Sequence, residues 1–380
     1  MTRAAGHART LRPGWVISPG VDAAMFTGSL ALGLAVVAGF AAAGRLDAAV
    51  PAWLFVLLVA CVDVAHVYAT AFRVYLDPAR FRRHPALFIG APLAVLALGQ
   101  LAWSVSPLAF WRALAYLAVF HFVRQQWGWV AYTRRRAGEG GDDRRLDMAV
   151  AYAGTVAPLV YWHSTLPREI AWFVDGDFLR LPAWLGAAAL GLSACVHAAF
   201  ALRQVQRARA RTGVNWAKLH VVATTSVSWF LAIVVFDSDV AFTALNVLGH
   251  GVPYLVVVWH VEARVARDVG TPCARLFRPG LRSAALFLGA LALLGYGEEW
   301  LWHQLVWLDQ LEAFPGPLAA GSGERGAWAL SLLVPLLAMP QATHYVLDGW
   351  LWRVGANPDV EALFVSQPAG QRRDQRGSSG

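Results

Sequence analysis

Long apolar stretches recur along almost the whole chain, from Val21 to Trp352, and they constrain the fold more than any other feature. Most of them are long enough to cross a hydrocarbon layer of ~30 Å as a helix. The short alternating segments typical of membrane β-barrels are absent. Only 15% of the residues are charged and 57% are hydrophobic, whereas soluble domains carry about 25% charged residues. The sequence therefore predicts an all-α, polytopic transmembrane helical bundle.

Hydropathy divides this bundle into about ten spans of membrane length. The predicted spans are residues 22–43, 50–72, 86–105, 108–132, 148–165, 183–203, 216–236, 239–261, 281–297 and 327–352. They form a single transmembrane domain over residues 21–353. We expect residues 1–20 to be a cytoplasmic segment, and residues 354–380 to be a cytoplasmic tail whose Gln, Arg, Gly and Ser content predicts disorder.

Arginines concentrate in alternate loops, which predicts the orientation of the bundle. They follow the second, fourth, sixth and eighth predicted spans, for example at Arg80, Arg134, Arg207 and Arg264. The intervening loops are neutral or acidic, as at Glu298-Glu299. By the positive-inside rule both termini are cytoplasmic, and we expect an integral protein of a bacterial inner membrane. The net charge of +8 follows from this pattern, so the expected partner is the lipid bilayer and no nucleic acid is expected.

Histidines lie inside several predicted spans, where an unpaired polar group is costly. His66 lies about six residues, or ~9 Å, from the cytoplasmic end of its span. His121 and His250 lie ~18 Å from theirs, and His344 lies ~13 Å from Arg353. Since span boundaries are accurate to a few residues only, these depths agree. We therefore predict that the four histidines occupy one level on the cytoplasmic side.

Each of these histidines has a polar neighbour three or four residues away, hence on the same helix face. The pairs are Asp63 with His66, His121 with Gln125, Asn246 with His250, and His344 with Gln341 and Asp348. Inward side chains on facing helices are how bundles build metal sites. We interpret His66, His121, His250 and His344 as metal ligands. Asp63, Gln125, Asn246, Tyr345 and Asp348 are the candidate catalytic residues, the two carboxylates orienting ligands and the others hydrogen-bonding oxygen species or substrate.

The remaining polar groups have simpler interpretations. Arg124 requires a counter-ion inside the bundle, and Asp63 or Asp348 could supply it. We interpret His7, His84, His163 and His303 as solvated, because they lie in loops or at span ends. His197 is a candidate core histidine, His220 a candidate fifth ligand, and His260 either a ligand or a solvated group.

Imidazoles with nearby carboxylates suit iron, zinc, manganese or copper. The three cysteines have no ligand spacing, and neither CxxC, HExxH nor GxSxG occurs, which argues against zinc ribbons, iron–sulfur clusters, zinc proteases and serine hydrolases. The expected cofactor is a metal ion, with iron as our first choice.

In class, the chain resembles the histidine-rich polytopic membrane enzymes with non-haem iron, namely lipid desaturases and hydroxylases and the Brp/Blh-type carotene dioxygenases. The resemblance consists of four histidines on separate spans and the pair His250-Gly251. The HxxxH and HxxHH boxes of desaturases are absent, and Pro253 and Tyr254 stand where an Asp is expected in the carotene enzymes. What the resemblance implies is a non-haem iron centre and O₂-dependent oxidation.

The leading hypothesis is thus a membrane-embedded, metal-dependent oxidoreductase that acts on a lipid or isoprenoid entering between helices, with electrons from a redox partner if it needs one. A proton-coupled transporter would use Asp63, Arg124, His250 and Asp348 as a relay. A b-type haem protein would use two of the histidines as axial ligands. Alternatively, the polar groups only lock the helices together.

Overall fold

The computed structural model describes residues 11–141, 143–269, 274–278, 280–319, 326–353 and 360. Within these residues the regular structure is entirely helical, which confirms the all-α class. Most of the predicted tail, residues 354–380, and the first ten residues of the predicted N-terminal segment lie outside the described residues.

We number the principal helices in chain order. They are α1 (Pro19–Ala42), α2 (Ala52–Arg73), α3 (Pro78–Arg83), α4 (Pro85–Val105), α5 (Pro107–Ala137), α6 (Arg144–Ser164), α7 (Ala183–Arg209), α8 (Trp216–Val235), α9 (Asp239–Val265), α10 (Leu281–Trp307) and α11 (Ala327–Leu351).

Eight of these helices are long and apolar enough to cross a membrane, namely α1, α2, α4 and α7 to α11. They coincide with eight of the predicted spans. The other two predicted spans, residues 108–132 and 148–165, coincide with α5 and α6, which are long but richer in polar residues. A membrane crossing by α5 and α6, and with it the count of ten, stays a prediction.

Local sequence explains where several helices begin and end. Ser106 accepts a hydrogen bond from the Ala109 amide at the start of α5, and Asn215 and Ser238 do the same for α8 and α9. Such side chains satisfy amide groups that have no partner within the helix. Helix α5 ends at Gly138, whose φ of 70° lies in the left-handed region that favours glycine.

One end of the bundle, here called the arginine-rich end, contains residues 73–84, 134–141, 143 and 203–215. Lys218 is fully buried there and donates to Glu139 and Asp147, both at 2.8 Å. Arg203 and Arg207 donate to Asp143 at 2.7 and 2.6 Å. Burial raises the pKa of Asp143, but the hydrogen bonds and charges of these two arginines outweigh it and hold that pKa below its ordinary value. The network joins α5, α6, α7 and α8.

Wide π-type turns interrupt α2 at Val56–Val64 and α9 at Thr243–Val247. Such a turn holds one extra residue, which rotates the following side chains by about 100°, and it is frequent at functional sites. Asp63 and Asn246 lie within these turns, and His66 and His250 follow them. The turns therefore set the direction of two histidines.

Close approach of helices to α2 depends on two glycines. A Cβ on Gly251 of α9 would lie 2.7 Å from Val62 Cγ1. A Cβ on Gly295 of α10 would overlap the backbone carbonyl of Ala60 and the backbone nitrogen of Ala65. Of the two glycines beside His250, Gly251 thus allows close packing, whereas a Cβ on Gly249 would meet only Ser228 Oγ at 3.5 Å.

Candidate metal centre

The four predicted histidines meet in the interior of the bundle. The ring centroid of His66 lies 4.7 Å from that of His250 and 4.8 Å from that of His344. His121 lies 5.0 Å from His250 and 4.7 Å from His344. Each side chain is at most 3% exposed. Four helices that are distant in sequence, α2, α5, α9 and α11, thus contribute one imidazole each.

The ring nitrogens are arranged as metal ligands would be. One ligand atom from each of His66, His121 and His344 can be chosen so that all three lie within 4.8 Å of one another, and the same holds for Asp63, His66 and His250. His121 Nε2 and His344 Nε2 are buried without a hydrogen-bond partner. His66 Nε2 and His250 Nε2 lie 3.1 Å apart. The described residues can therefore hold a metal ion.

Three polar side chains lie near the Nδ1 atoms of three of the rings. The Thr70 hydroxyl lies 2.7 Å from His344 Nδ1, and Asp348 Oδ2 lies 3.8 Å from His121 Nδ1. Asp63 Oδ1 lies 3.6 Å from His66 Nδ1. The Thr70 hydroxyl is placed to orient His344 and select its tautomer, whereas the two carboxylates lie beyond hydrogen-bond distance of the ring nitrogens.

The other predicted site residues surround the same centre. Gln125 donates to the backbone carbonyl of His250 at 2.9 Å, so its amide nitrogen holds α5 against α9. Tyr345 lies over His121 with ring centroids 4.9 Å apart. Both side-chain polar atoms of Asn246 are buried and unpaired.

Sequence reasoning did not single out three residues that contact the histidines. Besides Thr70, Tyr254 donates to Asp348 Oδ1 at 2.8 Å and fixes that carboxylate. Phe122 stacks on His250 with ring centroids 3.6 Å apart. Two of them could have been found from the sequence, because Thr70 and Tyr254 each follow a predicted ligand histidine by four residues and therefore lie on the same helix face.

A cavity of about 360 Å³ leads from the end opposite the arginine-rich end toward the histidines. Trp111, Trp172, Phe173 and Trp302 are among its walls, and Asp63, Asn246 and Tyr345 border its inner part. The cavity therefore approaches the centre from the opposite end, and the described residues that line it include none of the four histidines.

Buried ion pairs close the bundle between the centre and the arginine-rich end. Arg73 is fully buried, with its guanidinium 4.1 Å from the ring of Trp352 and its Nε 3.7 Å from Glu262. Arg80 donates to the same carboxylate at 2.7 Å. These arginines, interpreted from sequence as loop charges, are buried ion-pair partners.

Three interpretations of polar side chains were wrong. Arg124 is exposed on the outer face of α5 and donates to the Tyr152 hydroxyl at 2.7 Å, because the inward face of α5 is occupied by His121, Phe122 and Gln125. His163 and His303 are buried, not solvated, since the helices that carry them extend to or beyond these positions.

Two weaker candidates lie away from the centre. His220 contacts Thr27 Oγ1 at 2.5 Å and His197 contacts Ser226 Oγ at 2.9 Å, so neither faces the four rings. His84 is exposed, as expected. His7 lies outside the described residues.

Comparison of the chain with protein-family models, with curated proteins and with solved structures finds no match.

Proposed function

We propose that His66, His121, His250 and His344 hold a transition-metal ion, and that the protein is a membrane-embedded, metal-dependent oxidoreductase. The observation that carries the proposal is the presence of buried imidazole nitrogens without hydrogen-bond partners at mutual ligand distances. An unsatisfied buried polar group costs roughly 1–3 kcal/mol. A metal ion would satisfy several of them at once.

Iron is our choice of metal, with zinc, manganese and copper as alternatives that suit the same ligands. Bound iron would supply O₂ activation. Within the chain, Thr70 holds His344 by a hydrogen bond, Asp348 lies 3.8 Å from His121 Nδ1, and Asp63 borders the cavity. Asn246 and Tyr345 line the cavity and have the hydrogen-bonding groups to orient a substrate.

The cavity supports an apolar small-molecule substrate. Its volume of about 360 Å³ lies in the range of small-molecule sites, which are mostly apolar with a few convergent polar groups. The aromatic residues among its walls favour contact with an apolar substrate such as a lipid or isoprenoid. We propose that the reacting segment of such a substrate lies beside Tyr345 and Asn246.

A proton-coupled transporter is the second candidate, and one observation favours it. A transport path requires polar groups on both sides of the membrane midplane, and the sequence indicated them mainly on the cytoplasmic side. Glu298, Glu299 and His303, toward the opposite end, are buried as well. The haem alternative fits poorly, because two axial imidazoles would need a porphyrin in the space that the other two rings fill.

Metal analysis tests the oxidoreductase proposal. Detergent-purified protein is reconstituted anaerobically with Fe(II), freed of unbound metal and analysed beside His121→Ala/His344→Ala and the control His197→Gln. We expect near-stoichiometric iron in the parent and the control and a loss of about tenfold or more in the double variant. O₂ consumption with membrane lipid extracts then tests the reaction. A folded parent that stays metal-free would overturn the proposal and direct attention to transport assays.

A further inference from the structure

The last turns of α10 carry an ionisable cluster that the proposed centre does not use. Sequence reasoning ended this span at residue 297, but the helix continues to Trp307. Glu298, Glu299 and His303 are consequently buried, with exposures of 4%, 6% and 3%. They lie far along α10 toward the open end of the cavity, where burial of charge is costly without a partner.

His303 is held as a metal-ligating histidine would be. Its Nδ1 lies within hydrogen-bonding distance of the Asp309 carboxylate, while its Nε2 is buried and has no hydrogen-bond partner. A carboxylate on one ring nitrogen fixes the tautomer and orients the other nitrogen toward a metal. Asp309 and His303 therefore form two members of a carboxylate–histidine–metal arrangement.

The free Nε2 lies 3.7 Å from Glu299 Oε2. This separation is too long for a hydrogen bond. It is close to the spacing of two donor atoms on one ion, because metal–oxygen and metal–nitrogen bonds of about 2.0–2.2 Å place neighbouring ligands roughly 3–3.6 Å apart. Glu299 and His303 are also four residues apart on one helix face.

The surroundings supply further negative charge. Asp63, Glu299 and Asp309 line the same cavity, and the described residues that line it include neither lysine nor arginine. Glu298 is already occupied, because it accepts hydrogen bonds from Tyr68 at 2.6 Å and from Trp302 at 3.4 Å. Asp63 of α2 also lies 3.6 Å from His66.

We propose a second site, for a first-row divalent cation, with Glu299 and His303 as its ligands. Asp309 orients His303, and Asp63 lines the same cavity. Mixed carboxylate and imidazole ligands suit manganese, iron(II), cobalt or zinc. The site does not depend on the proposed oxidoreductase activity, because none of the four histidines is among its ligands.

Cobalt binding tests the proposal. Metal-stripped, full-length protein in detergent is titrated with Co²⁺ and followed by calorimetry and elemental analysis. We expect two ions in the parent, one in Glu299→Gln/His303→Gln, and one in His121→Ala/His344→Ala. The matched controls, Glu312→Gln on the exposed loop and the buried His163→Gln, should bind as the parent does. If the parent binds only one ion, and that ion is retained in His121→Ala/His344→Ala but lost in Glu299→Gln/His303→Gln, the four-histidine centre and the oxidoreductase proposal are wrong, and the second site stands.

A second variant keeps the test decisive if the double variant does not fold. Asp309→Asn retains both ligands and removes only the orienting charge, so we expect Co²⁺ affinity at this site to fall about tenfold. Unchanged stoichiometry and affinity in a folded Glu299→Gln/His303→Gln protein, or unchanged affinity in Asp309→Asn, would overturn the second site.

Discussion

The Thr70 hydroxyl is the hydrogen-bond partner of His344 Nδ1, at 2.7 Å, so it determines how that imidazole is held. Thr70→Val keeps the shape and removes the bond. Because outer partners of metal ligands typically contribute 10–100-fold to metal affinity, we expect affinity at the histidine centre to fall about tenfold. Competition with a chelator of known affinity measures this change.

Thr155→Val is the matched control for Thr70→Val. Thr155 is also fully buried, but its hydroxyl donates only to the backbone carbonyls of Ala151 and Tyr152. We expect this variant to leave metal affinity unchanged. Equal affinities for both variants and the parent would show that Thr70 does not orient a ligand.

Single residues were predictable to different degrees. The depths of His66, His121, His250 and His344 along their spans predicted a common level, because helical rise is regular. The burial of Glu299 and His303 was not predictable, since two adjacent glutamates normally mark a solvated loop. Only tertiary packing, which encloses the last turns of α10 beside α2, shows that these side chains are inside.

At the level of whole helices, the contact of α10 with α2 positions Asp63 and His66. Gly295 permits this contact, because any Cβ would overlap the backbone of Ala60 and Ala65. Since backbone cannot move as a side chain can, Gly295→Ala should destabilise the protein by roughly 1–3 kcal/mol and lower its metal content. Thermal unfolding in detergent and elemental analysis measure the two effects.

Gly289 offers the control on the same helix, because a Cβ there would meet no atom within 4 Å. Gly289→Ala should leave metal content unchanged and stabilise the helix by up to about 1 kcal/mol. If Gly295→Ala unfolds at the same temperature as Gly289→Ala and binds as much metal, the α2–α10 contact does not support the centre.

Hydropathy and loop charges were sufficient to predict most of the helices, because backbone that crosses a bilayer outside a closed β-barrel must be helical. They did not predict which helices are neighbours. Lateral order depends on details such as Gly251, where α9 approaches Val62 closely enough to bring His250 Nε2 within 3.1 Å of His66 Nε2. The wide turns at Val56–Val64 and Thr243–Val247 likewise leave no clear mark on the hydrophobic pattern.

Across the whole molecule, the centre is open toward one end and closed toward the other. The cavity with Asp63 and Glu299 lies toward the end opposite the arginine-rich end, while Arg73, Arg80 and Glu262 close the arginine-rich end. If the arginine-rich end faces the cytoplasm, as the positive-inside rule predicts, the cavity opens toward the non-cytoplasmic side.

This orientation and the membrane crossing of α5 and α6 are tested together by single cysteines. In a protein whose three native cysteines are replaced by serine, we introduce Asp175→Cys, Gly141→Cys or Arg209→Cys, all at exposed positions. A membrane-impermeant maleimide should label residue 175 in intact cells, but residues 141 and 209 only after permeabilisation. Labelling of 141 together with 175 would mean that α5 and α6 do not cross. Labelling of 209 but not 175 would invert the whole bundle and place the cavity entrance in the cytoplasm.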